Sequence, residues 1–280
     1  MRKKILVLIG ANGLIGRSFI DMYSKKYKII KCLRKDDLRK VLEKYKPAII
    51  FNSSGEPYDK KKMFFTNVLL VKKIIDYCIN NKSFLIHLGS SAEYGRHLVP
   101  TRENSELRPT TVYEGTKAAA SMLIRGYAQN YNLQAVIIRP YCVFGNYSKP
   151  NLLIPMIIEA IQKNKFMKIY KGVHDFIYVK DFIRGIDKII QKRNKCHSGE
   201  VINLSSGKQL SNFKVLNYVQ KIFGKNKKSN FKIIYKKYRS YDSDMWVGNT
   251  QHALKKYNFK CKYSFIEALR DMKKEYKINK

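Results

Sequence analysis

The chain has 280 residues, with 56 Lys and Arg against 21 Asp and Glu, a formal net charge of +35. At this length roughly three quarters of the unfolded surface is buried on folding, which excludes a small disulfide-stapled module. Cys32, Cys78, Cys142, Cys196 and Cys261 lie far apart, with no CxxC pair and no histidine at metal-ligand spacing, so the sequence implies a reducing, cytoplasmic setting without a zinc site.

Arg2-Lys3-Lys4 and the apolar residues after it have the start of a signal peptide, but Gly10, Asn12 and Gly13 break the run early. No other apolar run reaches the ~18 residues of a membrane span. Ile5–Ile9 instead reads as a strand buried on both faces of a parallel sheet. Gly10-Ala11-Asn12-Gly13-Leu14-Ile15-Gly16 follows, and then a periodic apolar segment through Phe19, Ile20 and Tyr23. Between strand and helix the three glycines predict a dinucleotide-binding turn. Gly10 makes the tight turn, Gly13 lets the backbone approach a pyrophosphate, and Gly16 lets helix pack on strand.

A second strand is expected over 29–33. The residues just past it choose the cofactor, because a basic side chain suits the 2′-phosphate of NADP(H) and an acidic one the ribose hydroxyl of NAD(H). Arg34-Lys35 favours NADP(H), while Asp36 and Asp37 keep NAD(H) open. An amphipathic helix over Leu38–Tyr45 leads to a strand over 47–51 and then to Asn52-Ser53-Ser54-Gly55, small enough to pass under an adenine ring. Residues 63–78 read as a helix with Phe64, Val68, Val71, Ile75 and Tyr77 apolar and Asn67 the polar exception. The strand Phe84–Leu88, with His87 taken as a core residue, runs into Gly89-Ser90-Ser91-Ala92-Glu93-Tyr94-Gly95. A hydroxyl at that end of a strand lies where open α/β sheets bind ligands, which makes Ser90 a candidate.

Tyr113 and Lys117 stand four apart at the start of a helix over 113–131, so both side chains point from one face. A phenol titrates near ~10 and a fixed cation beside it favours the phenolate, so Tyr113 is expected to act as acid and base. The strand over 135–139 follows. Further on, Lys225, Lys227, Lys228, Lys232, Lys236 and Lys237 alternate with Phe231 and Tyr235. Since lysines are spread along the whole chain, this run reads as a solvated loop and strand, not a nucleic-acid or membrane footprint. The charge suits an anionic small ligand such as a nucleotide-linked substrate.

The ordered set Gly10/Gly13/Gly16, Asn52–Gly55, Ser90–Gly95, Tyr113-xxx-Lys117 and Arg139-Pro140-Tyr141-Cys142-Val143-Phe144-Gly145 resembles the extended short-chain dehydrogenase/reductases. More narrowly it resembles the NAD-dependent epimerase/dehydratase family acting on nucleotide sugars, and 172–181 and 201–207 resemble later segments of that family. The resemblance implies an α/β, Rossmann-type doubly wound parallel sheet over 1–148, rejoined by strands near 176–180 and 201–204. A smaller, interleaved substrate lobe would occupy most of 149–280.

It also implies Ser90, Tyr113 and Lys117 as the catalytic residues, with Lys117 holding the nicotinamide ribose. Cofactor contacts would come from Gly10, Asn12, Gly13, Leu14, Ile15, Gly16, Arg34, Ser53, Ser54, Gly55, Asn67, Pro140 and Tyr141. Ser90, Ser91, Asn151, His174, Arg239 and Asp242 would take the nucleotide sugar, without a metal. Family members often form homodimers through the helices matching 63–78 and 113–131.

Three departures bear on the reaction. The chain is short between its second strand and Pro47, as in the reductase-like branch, and His174 stands where an arginine is usual. Ser91 and Ala92 replace the acid/glutamate pair of dehydratases, with Glu93 one place off. The expected reaction is NADPH-dependent reduction of an NDP-4-keto sugar; the alternatives are NAD-dependent epimerisation, dehydration, or a non-catalytic Rossmann protein binding nucleotide or RNA.

Overall fold

In a computed structural model, which describes residues 3–224, 231–237 and 244–278, strands and helices alternate from the first apolar run onward. β1 (Ile5–Ile9), α1 (Leu14–Tyr23), β2 (Lys28–Cys32), α2 (Leu38–Tyr45) and β3 (Ile49–Asn52) come first. α3 (Lys60–Phe64) passes through a π-helical turn, Phe65–Leu69, into α4 (Leu70–Asn81), followed by β4 (Phe84–Leu88), α5 (Val112–Tyr131) and β5 (Ala135–Pro140). Then come β6 (Cys142–Phe144), α6 (Leu153–Lys163), β7 (Met167–Lys171), β8 (Val173–Tyr178), α7 (Val179–Gln191) and β9 (Glu200–Leu204). β10 (Gln209–Ser211), α8 (Asn212–Phe223), β11 (Phe231–Lys237), α9 (Gln251–Tyr257) and α10 (Phe265–Ile278) complete the described chain.

Six strands form a parallel sheet in the order β2-β1-β3-β4-β5-β9. The inner strands β1, β3 and β4 are almost wholly apolar because both faces are covered, whereas the edge strand β2 exposes Lys28 and Lys31. Leu6, Leu8, Ile49 and Phe51 pack with Phe19 of α1 and Ile183 of α7. Val7, Ile50 and Leu85 pack on the other side with Leu42, Ile74, Ala120 and Ile124 from α2, α4 and α5. The strand order reverses direction at β1, so the crevice beyond the ends of β1 and β3 is the ligand position of such a sheet.

One expected strand lies elsewhere. Residues 176–178 belong to β8, which pairs with β6 and β10 in a separate three-stranded sheet, because β9 occupies the place beside β5. β7 and β11 make a further two-stranded parallel sheet. The helix expected over 63–78 is also interrupted by the π-helical turn holding Asn67, whose buried amide is tied to neighbouring segments and not to solvent. Among the described residues, no helix is long and apolar enough to cross a membrane, and no three His, Cys, Asp or Glu side chains group to hold a metal ion.

Candidate active site

The turn after β1 is shaped for close approach. Gly10 has φ of +80°, and a Cβ there would lie 2.8 Å from the Ser53 carbonyl carbon and the Ser54 nitrogen. A Cβ on Gly16 would lie 2.5 Å from the Gly10 oxygen, so α1 packs directly on the turn. Gly13 caps α1 without a side-chain bond, and no acidic residue sits in the first helical turn. The leading amides of α1 are therefore left for an anion. These features fit a dinucleotide pyrophosphate.

A cleft of about 1470 Å³ opens here, bordered by Gly10, Asn12, Gly13, Arg34, Ser53, Ser54 and Gly55. Leu14 and Ile15 instead pack partly into the core behind it. Ser53 is fixed by its hydroxyl, which donates to the Ile9 carbonyl at 2.7 Å, and Ser54 by donating to Asn52 Oδ1 at 2.6 Å. Asn67 accepts from the Glu56 amide (2.9 Å) and donates to the Glu56 carbonyl (3.1 Å) and Thr116 Oγ1 (3.0 Å). It thus ties the Ser53–Gly55 strip to α5, and its own part is to hold that strip in place.

At the far end of the cleft Arg34 is exposed and pairs with Glu56 at 3.2 Å. Asp36 accepts from the Leu33 amide at 2.8 Å, and Asp37 caps α2 by accepting from the Arg39 and Lys40 amides. Both carboxylates thus already have backbone partners.

Ser90, Tyr113 and Lys117 come together where β4 ends and α5 begins. Thr111 and Glu114 form a reciprocal capping box that starts α5, which brings Tyr113 into its first turn. The Ser90 amide donates to Glu93 Oε1 at 2.7 Å, and the Ser90 side chain hydrogen-bonds the Tyr113 phenol. Lys117 is 3% exposed and donates from Nζ to the Leu88 carbonyl. Burial lowers its pKa to about 8, with Glu93 pulling the other way.

The Tyr113 phenol does not follow the expected direction. Burial raises it above its usual value, opposed by the Ser90 hydrogen bond and reinforced by Glu93, Tyr58 and Glu114. Desolvation of the phenolate outweighs the helical neighbour, whose ammonium is committed to Leu88. His87, buried next to Lys117, is pushed well below the ordinary histidine value and lies 3.3 Å from Asn52 Nδ2 through Nδ1.

Other candidate positions divide. Ser91 is buried and borders a small cavity with Tyr94, Thr101, Tyr141 and Trp246. Asn151 Nδ2 donates to the Tyr58 hydroxyl at 3.4 Å, and Tyr58 acts electrostatically on Tyr113. Pro140 ends β5, but the Tyr141 ring is spent elsewhere: its hydroxyl bonds Thr101 and the ring packs on Gly248, where a Cβ would come within 2.7 Å. His174 lies in β8 opposite Leu210, edge-on to Phe176 at 5.7 Å. Arg239 and Asp242 lie outside the described residues.

Sequence reasoning missed the pair beneath Ser90. Glu93 is 0% exposed and Arg139 1%, and Glu93 Oε2 accepts from Arg139 Nε and Nη2, each at 2.9 Å. A signal was present: an arginine closing an apolar strand needs a buried acid. Tyr58 gave no such signal.

The sequence model of the NAD dependent epimerase/dehydratase family matches residues 6–205. The low-salt glycan biosynthesis protein Agl12 of Haloferax volcanii is 27% identical over 164 residues, 57% of this chain and 52% of that protein. The dTDP-D-glucose 4,6-dehydratase of Dictyostelium discoideum is 26% identical over 200 residues, 64% of this chain and 45% of that protein. The chain thus spans about half the length of these curated relatives. Among solved structures, dTDP-glucose 4,6-dehydratase from Bacillus anthracis, in complex with NAD, superposes with a TM-score of 0.87 at 20% identity, over 99% of this chain and 97% of that one. UDP-glucuronic acid 4-epimerase from Bacillus cereus, in complex with UDP-glucuronic acid and NAD, does so at 0.88 and 19%, over 99% and 100%. At these identities the likeness shows a shared fold.

Proposed function

The chain belongs to the NAD dependent epimerase/dehydratase family, and on that premise we propose that it reduces the keto group of a nucleotide-linked sugar with NADPH. The observation that carries this reading is the exposed Arg34 at the end of the cleft, beside Asp36 and Asp37 whose carboxylates are already held by backbone amides, while burial shifts Tyr113 upward, toward the proton-bearing form. Reduction needs a proton donor at the carbonyl, whereas the oxidising half of an epimerisation needs an acceptor. The Ser90 hydroxyl would donate to the carbonyl oxygen, and the Lys117 charge would favour the oxyanion as Tyr113 gives up its proton.

When bound, the nicotinamide supplies the hydride. Gly10, Gly13 and the start of α1 would hold its pyrophosphate, Ser53–Gly55 would lie under its adenosine, and Lys117 would take the nicotinamide ribose. Arg34 would meet the 2′-phosphate after leaving Glu56, exchanging one exposed partner for a stronger anion. In Arg34→Ala, NADPH affinity is expected to fall about tenfold while NADH affinity stays level, as read by fluorescence titration. Equal change for both cofactors would remove Arg34 from the choice.

A second reading, epimerisation with NAD, draws on Glu56, which already engages Arg34, and on the NAD in the epimerase structures of this fold. Mass identification of nucleotide released on denaturation separates the two. NAD⁺ in near-equal amount favours epimerisation, and NADP(H) or none favours reduction.

Assembly as a homodimer is part of the proposal. Phe65, Leu69, Met122 and Tyr131 are exposed, and Met122 and Tyr131 border a shallow apolar face on α5 with Ala119 and Leu123. Covering this face with its copy would remove a contiguous apolar patch from water. Light scattering should give twice the chain mass for the native protein and a single-chain mass for Met122→Lys. A monomeric native protein would overturn the dimer.

A further inference from the structure

Glu93 differs from every other acidic group near the catalytic residues in being fully enclosed, with both oxygens engaged by different parts of the site. Oε1 accepts the Ser90 amide at 2.7 Å, and Oε2 accepts Nε and Nη2 of Arg139. Room for the carboxylate is reserved by Gly89, where a Cβ would fall 2.4 Å from Glu93 Oε1. Arg139 is held in turn by the Tyr94 ring, 4.5 Å from its guanidinium, and by the Glu103 carbonyl at 3.4 Å.

A buried ion pair adds little net stability compared with an apolar pair of the same shape, because desolvating two charges offsets most of their attraction. Here the pair also closes on the Ser90 backbone, and the carboxylate acts on both Tyr113 and Lys117. The titratable groups acting with Lys117 are His87 of β4, held neutral by burial, and Glu93.

We propose that Glu93 is a positioning residue for the reaction at Tyr113: its carboxylate, gripped by Arg139, fixes the Ser90 backbone and supplies the counter-charge to the buried Lys117 ammonium. This rests on the reading of Ser90, Tyr113 and Lys117 as the reacting group. Glu93 does not touch substrate; it acts through Ser90 and Lys117. Its enclosure also explains why a carboxylate one place from the dehydratase position cannot stand in for that acid, since both oxygens are buried and already engaged by the Ser90 amide and Arg139.

The test uses the whole protein and two variants. Glu93→Gln keeps the acceptor for the Ser90 amide but leaves Arg139 without its counter-charge, and can fail to fold for that reason alone. The double variant Glu93→Val with Arg139→Met removes both charges in an apolar shape. The readouts are kcat and KM, and the titration of the Lys117 side chain by lysine 13Cε NMR, assigned through Lys117→Met. Lys117 of the native protein should titrate at about 8. In Glu93→Gln, which removes the carboxylate charge and keeps Arg139, the midpoint should drop by about one unit; in the double variant, whose two lost charges offset one another at Lys117, kcat should fall at least tenfold with KM unchanged.

An unmoved Lys117 midpoint in folded Glu93→Gln overturns the proposal. So does a kcat within twofold of the native value in the folded double variant. If the native protein transfers no hydride, the reductase reading fails, and the lysine titration, which needs no turnover, still decides the role of Glu93.

Discussion

Replacing Tyr113 with phenylalanine should leave a folded, cofactor-binding protein whose turnover falls by about 100- to 10,000-fold. The hydroxyl is hydrogen-bonded to Ser90 and holds no part of the helix: Thr111 and Glu114 start α5, and its buried face includes Ala120, Ile124 and Ala128. Thermal stability should therefore change little, because the ring stays and only the oxygen leaves. The loss should appear in kcat, since the missing proton donor acts in the transition state. The check is single-turnover kinetics beside cofactor titration; turnover within a few-fold of native would remove Tyr113 from the mechanism.

The second large effect is expected from Gly10→Ala. A side chain at φ of +80° is strained by itself, and the added Cβ meets backbone atoms of Ser53 and Ser54 at 2.8 Å. Neither neighbour can yield easily. Ser53 is bonded to Ile9 through both amide and hydroxyl, and Ser54 to Asn52, itself fully buried. Strain and overpacking together should destabilise by about 2 to 4 kcal/mol, and cofactor affinity should fall because the displaced turn carries the start of α1. Calorimetry and cofactor titration check both parts. A variant with native stability and affinity would show that this turn tolerates a side chain and weaken the dinucleotide reading.

Much of this was legible because it rests on local rules. Ile5–Ile9 and Phe84–Leu88 are apolar on both sides of the pleat, which only a doubly covered sheet explains, and the glycine spacing after β1 places a turn under a helix start. What was not legible depends on long-range pairing. Residues 176–178 read as a strand of the main sheet, yet that site is filled by β9, twenty-odd residues later in the chain, and periodicity carries no information about which strand wins. The Tyr113 phenol was misjudged in direction because helical spacing brings Lys117 near without saying that burial and the Leu88 carbonyl would take precedence. The Glu93–Arg139 pair joins two residues 46 positions apart and becomes visible only when β4 and β5 lie side by side.

The most direct test of the central claim is deuteride transfer. NADPH carrying deuterium at both C4 positions of the nicotinamide would be incubated with the protein and a panel of NDP-4-keto sugars, and the sugar product weighed by mass spectrometry. The account predicts a product one mass unit heavier than that formed from unlabelled NADPH, formed at least about 100-fold more slowly with Tyr113→Phe. Absence of label in every product of the native protein, or labelled product formed by Tyr113→Phe at the native rate, would contradict it.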